Sequence, residues 1–150
     1  MARAARALGP APPWHRGQLR QDVCSSCDKR CESACEADVI RIHGVNHRLA
    51  GTPYLSFESG GCTFCYACVE VCPMGLDDDP SNPPPIGGAA LHTPTCLAWN
   101  GVVCVACRFV CPQQAVRADA RSRPLIDAAL CTGCGVCVSV CPERAITVEL

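Results

Sequence analysis

Apolar residues in this chain come in short bursts between polar and turn-forming stretches. Val39, Ile40 and Ile42 predict one short strand and Tyr54, Leu55 and Phe57 a second, joined across a loop containing Gly44 and Gly51. Further short strands are predicted at Ala115 to Arg117, at Leu125 to Ile126, and through Ala145, Ile146 and Val148. Uncharged apolar runs such as Asn100 to Ala106 fall far short of the roughly 20 residues that span a bilayer, so no membrane insertion is expected. Residues 1–23 are rich in Arg, Ala and Pro and predict an extended arm, in which Trp14, behind Pro12 and Pro13, is the one large anchor.

Cysteine fills the intervals between the strands, with 16 residues in four groups. The fourth group, Cys131, Cys134, Cys137 and Cys141 followed by Pro142, has gaps of two, two and three residues, the run that binds iron-sulfur clusters in bacterial ferredoxins. Cys62, Cys65, Cys68 and Cys72 with Pro73 repeat it without change. Cys24, Cys27, Cys31 and Cys35 have one extra residue in the second gap and Glu36 in place of proline. In the group of Cys96, Cys104, Cys107 and Cys111 with Pro112, the first cysteine is displaced by a loop from Leu97 to Val103 that holds Trp99 and Gly101. The chain therefore reads as a fourfold repeat: a cysteine loop, about one helical turn ending in cysteine, then a short strand.

Composition explains why cysteine takes this role. Val, Ile, Leu and Phe number only 32 of 150 residues, too few for a conventional large core, so cross-linking has to replace it. Disulfides, structural zinc and iron-sulfur clusters are the available forms. No apolar run of secretory length precedes Pro10, so a cytoplasmic location with reduced thiols is expected and disulfides are disfavoured. Zinc sites usually separate two C-x2-C pairs widely, and the closing C-x3-C-P is not part of that pattern.

Three cysteines at short gaps on a loop turn their sulfurs to one concave side, and Gly133 and Gly135 suit close backbone approach there, as do the small Ala67 and Ala106. The fourth cysteine lies one helical turn on and ligates the other cluster in two-cluster ferredoxins. Pairing neighbouring groups places Cys24, Cys27 and Cys31 with Cys72, and Cys62, Cys65 and Cys68 with Cys35. In the second half it places Cys96, Cys104 and Cys107 with Cys141, and Cys131, Cys134 and Cys137 with Cys111. A nested pairing of groups one with four and two with three is compatible with the same spacing. Residues 77–94, with Asp77, Asp78 and Asp79, then Pro83, Pro84 and Pro85, then Gly87 and Gly88, read as a linker; its acidic stretch reads as solvated rather than as a cation site. The fold class expected is α+β: two tandem ferredoxin-like domains at 24–76 and 95–150, two clusters each.

Catalytic residues are not in evidence. His15, His43, His47 and His92 have no nucleophile or carboxylate at informative spacing and read as solvated surface residues, and no phosphate loop or dinucleotide fingerprint is present, so no enzyme is expected. Formal charge is −1, and four oxidised clusters with their thiolates bring the total to about −9, which argues against a nucleic-acid partner and favours one with a basic patch.

Pro12 to Trp14, the CTFCYACVEVCP of group two, the CLAWNGVVC that displaces Cys96 and the CTGCGVC of group four together resemble the NapF family, the cytoplasmic ferredoxin-type proteins of periplasmic nitrate reductase systems. The resemblance covers nearly the whole chain. It implies four [4Fe-4S] clusters and interaction with the precursor of the catalytic subunit of periplasmic nitrate reductase before its export, in maturation or electron supply. A general electron-transfer subunit of a respiratory or dehydrogenase complex, and a zinc-bound interaction module, are the other readings.

Overall fold

A computed structural model describes residues 8–76 and 79–150. Asp77, Asp78 and the first seven residues of the arm, with Arg3 and Arg6, lie outside them. The chain forms two units: residues up to Ser56 together with Phe64–Pro84, and Phe57–Thr63 together with Pro85–Leu150.

In the first unit α1 (Gln21–Ser26) and α2 (Arg30–Ser33) precede β1 (Ile40–Ile42), which pairs antiparallel with β2 (Pro53–Leu55), Ile40 opposite Leu55. Both strands carry the apolar residues that predict them, and Val39, Ile40 and Leu55 are buried. Phe57, expected at the end of the second strand, belongs instead to the other unit. The first unit is completed by α3 (Ala67–Glu70), which packs against α2.

The second unit contains β3 (Gly88–Leu91), α4 (Ala106–Val110), β4 (Val116–Ala118), β5 (Pro124–Ile126), α5 (Val136–Ser139) and β6 (Ile146–Glu149). β4 pairs with β5 as a hairpin, and β3 pairs with β6, joining the unit's beginning to its end. Gly88–Leu91, within the stretch expected as linker, is therefore strand. The glycines there serve close approach: a Cβ on Gly87 would collide with the Glu149 carbonyl. Among the described residues, no helix is long and apolar enough to cross a membrane.

One turn recurs after the last cysteine of every group. The residue three positions on takes the left-handed conformation, at Asp38 (φ 50°), Gly75 (φ 59°), Gln114 (φ 51°) and Arg144 (φ 50°). Its N–H donates back to the cysteine carbonyl, at 2.9 Å for Asp38 to Cys35 and 3.1 Å for Gln114 to Cys111. Proline suits the second position of such a turn because its φ is preset, yet Glu36 occupies it in the first group and the bond still closes. Immediately beyond, the chain drops into the interior at Val39, Ala115 and Ala145, each 1% exposed.

Among the described residues of the arm, Pro10 and Pro12 to His15 are packed rather than extended. Pro12, Pro13, Trp14 and His15 are buried in a turn of 3-10 helix over Pro13–His15, and the Leu55 N–H donates to the Pro10 carbonyl at 2.7 Å. Trp14 meets Tyr66 edge-on at 4.9 Å and Phe64 at 6.3 Å, and its indole N–H donates to the Asp79 carbonyl at 3.4 Å. An arm rich in Pro and Ala buries in this way because one indole supplies large apolar area at low entropic cost. Trp14→Ala is expected to destabilise the first unit by about 3–5 kcal/mol, and Trp14→Phe by less, in anaerobic guanidinium unfolding; an unchanged midpoint for the alanine variant would mean that the arm does not pack.

Candidate functional site

Each of α2 to α5 begins two or three residues after its group's second cysteine. In three groups the residue before the helix is left-handed: Lys29 (φ 59°), Tyr66 (φ 68°) and Gly135 (φ 82°). The extra residue of the first group is absorbed ahead of this point, as Asp28, so Lys29 enters α2 as Tyr66 enters α3. Val105 departs from the pattern at φ −131°, in the group whose first cysteine is displaced. In the first group Cys24 lies on α1 rather than on a loop.

These local conformations turn the sulfurs inward. Cys24, Cys27, Cys31 and Cys72 line one cavity in the first unit, with His15, Lys29, Val71 and Met74. In the second unit Cys131, Cys134, Cys137 and Cys111 line one cavity, and Cys96, Cys104, Cys107 and Cys141 another. In each, three cysteines of one group are met by the last cysteine of the neighbouring group. Of the remaining four, Cys35, Cys65 and Cys68 belong to the first unit, whereas Cys62 lies in the segment of the second, where its N–H donates to the Cys134 carbonyl at 2.7 Å.

None of the sixteen cysteines is in a disulfide. Four thiolates around one zinc would stand about 3.8 Å apart, given Zn–S bonds of about 2.3 Å in a tetrahedron. Among the described residues no three His, Cys, Asp or Glu side chains are grouped to hold a single metal ion. The four cysteines of each quartet line one common cavity, and an all-thiol donor set of this kind fits a [4Fe-4S] cubane.

Electrostatics fit the same group. Burial pushes the Cys31 thiol up to about 11 and the Cys137 thiol up to about 12, and neighbouring cysteines of the same quartet add to both. Cys24 and Cys107 are raised for the same reasons, burial first. Bare thiolates are thus disfavoured in these cavities, and ligation has to supply positive charge while releasing protons. Backbone donors already face sulfur: the N–H groups of Ala89, Ala115 and Ala145 point to Cys131, Cys111 and Cys141 Sγ, each at 3.3 Å. The Lys29 ammonium is hydrogen-bonded to the Cys24 carbonyl at the edge of the first cavity.

The Cys96 loop closes its own cavity, with Leu97 and Ala98 in the lining. Trp99 fixes the loop by donating to the Pro124 carbonyl at 3.2 Å, with the Arg123 guanidinium 4.0 Å above its ring. Asn100 ties the loop to the Cys96 carbonyl at 2.8 Å.

Glycine marks where the repeats differ. Gly133 and Gly135 correspond in their motif to Phe64 and Tyr66, and all four residues have positive φ. A Cβ on Gly133 would meet Gly87 backbone atoms at 2.5 to 2.8 Å, and one on Gly135 would enter the Phe57 ring, so neither position admits a side chain. At Phe64 and Tyr66 the rings reach Trp14, and this packing offsets the roughly 1–2 kcal/mol that each left-handed non-glycine residue costs.

Two of the four histidines are not solvated: His15 is 1% exposed and His43 is 3% exposed. His43 accepts from the Leu8 N–H at 3.4 Å, and its other ring nitrogen faces the Thr52 carbonyl at 3.0 Å, roles that belong to strand packing. His15 and Lys29 carry no spacing signal. Only adjacency of His15 to the Pro-Pro-Trp stretch, and of Lys29 to the lengthened cysteine gap, marks them in sequence.

Residues 23–76 match the 4Fe-4S dicluster domain and residues 124–147 the 4Fe-4S binding domain. With the short helices, short antiparallel strands and cysteine-lined cavities described above, these matches define a ferredoxin-type iron-sulfur protein of the electron-transfer class. Among curated proteins the chain is 31% identical over 146 residues to the ferredoxin-type protein NapF of Escherichia coli K12, covering 94% of this chain and 85% of that protein. It belongs to the NapF family. It is also 30% identical to the ferredoxin-type protein NapG of Haemophilus influenzae, covering all of this chain and 60% of NapG. To the methylamine utilization ferredoxin-type protein MauM of Methylorubrum extorquens it is likewise 30% identical, covering 93% and 71%.

The glycine comparison makes a paired prediction. Gly133→Ala is expected to cost about 2–5 kcal/mol through left-handed strain plus overlap with Gly87. Gly101→Ala, at φ 81° with open space around it, should cost only about 1–2 kcal/mol. Equal losses of the two variants in anaerobic denaturation would contradict the close approach.

Proposed function

We propose that the chain is a cytoplasmic ferredoxin with four [4Fe-4S] clusters on its sixteen cysteines, assisting maturation of, or supplying electrons to, the catalytic subunit of a periplasmic nitrate reductase before export. The observation that carries the cluster assignment is the convergence of four cysteines on each of three cavities, three from one group and one from its neighbour. The ligands of these three clusters are then Cys24, Cys27, Cys31 and Cys72; Cys131, Cys134, Cys137 and Cys111; and Cys96, Cys104, Cys107 and Cys141. The other four cysteines carry the fourth cluster by the same rule of spacing. That one dicluster model spans both groups of residues 23–76 also supports pairing neighbours.

Bound clusters of this kind supply one-electron redox chemistry. The protein's part is to hold the thiolates, shield them from water and aim N–H groups at sulfur. In the second unit Cys107 of α4 and Cys137 of α5 share one buried group, so the two cavities there are neighbours and suit electron passage between them. Membership in the NapF family supports the nitrate reductase partner. A second reading, an electron-transfer subunit of another redox system, is favoured by the similarity to a protein named for methylamine utilization.

Anaerobically prepared protein is expected to contain about sixteen iron atoms and as much acid-labile sulfide per chain, with absorbance bleached by reductant. Zinc without sulfide would overturn the cluster assignment. In Cys141→Ala the cluster of Cys96, Cys104 and Cys107 should be damaged while that of Cys131, Cys134 and Cys137 survives better; loss confined to the latter would refute the pairing.

A maturation role predicts tighter binding, by calorimetry or pull-down, to the immature catalytic subunit of the nitrate reductase than to the mature one. Equal affinity, or preference for the mature form, would favour the second reading.

A further inference from the structure

Among the described residues, His15 is the one whose buried side-chain nitrogens find no hydrogen-bond partner: neither Nδ1 nor Nε2 is engaged. The ring is 1% exposed and lines the cavity of Cys24, Cys27, Cys31 and Cys72. A buried N–H left without an acceptor costs about 1–3 kcal/mol, so such a group in a native protein calls for an explanation.

The rest of the lining narrows what the acceptor is. Val23, Val71, Pro73 and Met74 offer only weak acceptors or none at their side chains, and the Lys29 ammonium is itself a donor, already turned to the Cys24 carbonyl. Gly51 brings no side chain, and the acceptors left among the lining side chains are the sulfurs of the four cysteines around the space they enclose. We propose that the His15 imidazole donates an N–H hydrogen bond to a sulfur of the cluster held by Cys24, Cys27, Cys31 and Cys72, and so raises the reduction potential of that cluster. The inference rests on the cluster assignment made above and adds a positioning residue to it.

The backbone holds the ring in place. The His15 N–H donates to the Pro12 carbonyl at 3.1 Å, and its own carbonyl accepts from the Gln18 N–H at 3.1 Å. Gln18 also donates through its side chain to the Trp14 carbonyl at 3.0 Å. Trp14 sits at φ 26°, a strained value that persists only where surroundings enforce it, and its packing on Phe64 and Tyr66 does so. The Pro-Pro-Trp turn thus delivers the next residue to the cavity. The neutral tautomer with its proton on the nitrogen facing the cluster presents the N–H, so the bond does not require a protonated ring.

The sign follows from charge. One electron taken up makes the cluster one unit more negative, and a donor N–H interacts more strongly with the more negative state. Reduction is therefore favoured by the hydrogen bond.

The test compares wild type, His15→Leu and His15→Gln, prepared anaerobically, by iron and sulfide content and by dithionite titration followed by EPR. Wild-type protein without iron and sulfide would overturn the cluster assignment and this inference with it. With clusters present, His15→Leu should keep its iron, and one cluster should become about tenfold harder to reduce in equilibrium constant, about 59 mV for a one-electron couple. The other clusters should be unmoved, and His15→Gln, which keeps an N–H, should recover most of the shift. Unchanged potentials in a fully loaded His15→Leu protein would overturn the proposal while leaving the cluster assignment standing. Should His15→Leu fail to assemble, pulsed EPR on wild type labelled with 15N-histidine decides: nitrogen coupling to a reduced cluster supports the bond, and its absence overturns it.

Discussion

The side chains around which these two units close are cysteines, and that constraint follows from what the chain lacks. Its helices are four to six residues long, below the length that persists alone, and its sheets have two strands, which are marginal by themselves. In the second unit the buried group consists of Cys107, Cys137, Val116 and Ile146, with Cys111 and Cys141 against it. On the proposed assignment, ligand and core are the same side chains. On the cluster reading, the free energy of ligation is largely folding free energy.

A common backbone frame serves all four groups while the side chains on it diverge. The turn after the last cysteine tolerates Asp38, Gly75, Gln114 or Arg144 at its left-handed position and accepts Glu36 for proline, because one N–H to carbonyl bond closes it in each case. The loop ahead of the short helix is less uniform. Glycine is required where Gly87 and Phe57 press on Gly133 and Gly135, whereas Phe64 and Tyr66 hold the corresponding conformations because Trp14 receives their rings. The same backbone conformation is thus enforced by exclusion in one group and by packing in the other.

The electrostatic problem is also shared. Gathering several thiols in a buried space raises their pKa, and the protein answers with donors aimed at sulfur: backbone N–H groups of Ala89, Ala115 and Ala145 in the second unit, and the proposed His15 contact in the first. Donors of this type tune potential without contributing ligands. The cavities differ most in these details, from Lys29 beside the first to the Trp99 loop over the site of Cys96.

Much was legible in the chain itself. Cysteine spacing is a local geometric property, so it identified the repeat and the class of site, and alternating apolar residues marked five of the six strands, to within a residue or two. Sequence could not reveal β3, because Gly88, Ala89 and Ala90 have weak strand character and are extended only through pairing with β6. Nor could it assign Phe57–Thr63 to the second unit, show the arm folded over Phe64 and Tyr66, or bury His15 among four cysteines. Spacing along the chain fixes which sulfurs face one side of a loop. Which distant loop, ring or N–H comes to meet them is a matter of long-range packing, decided only when the chain has closed.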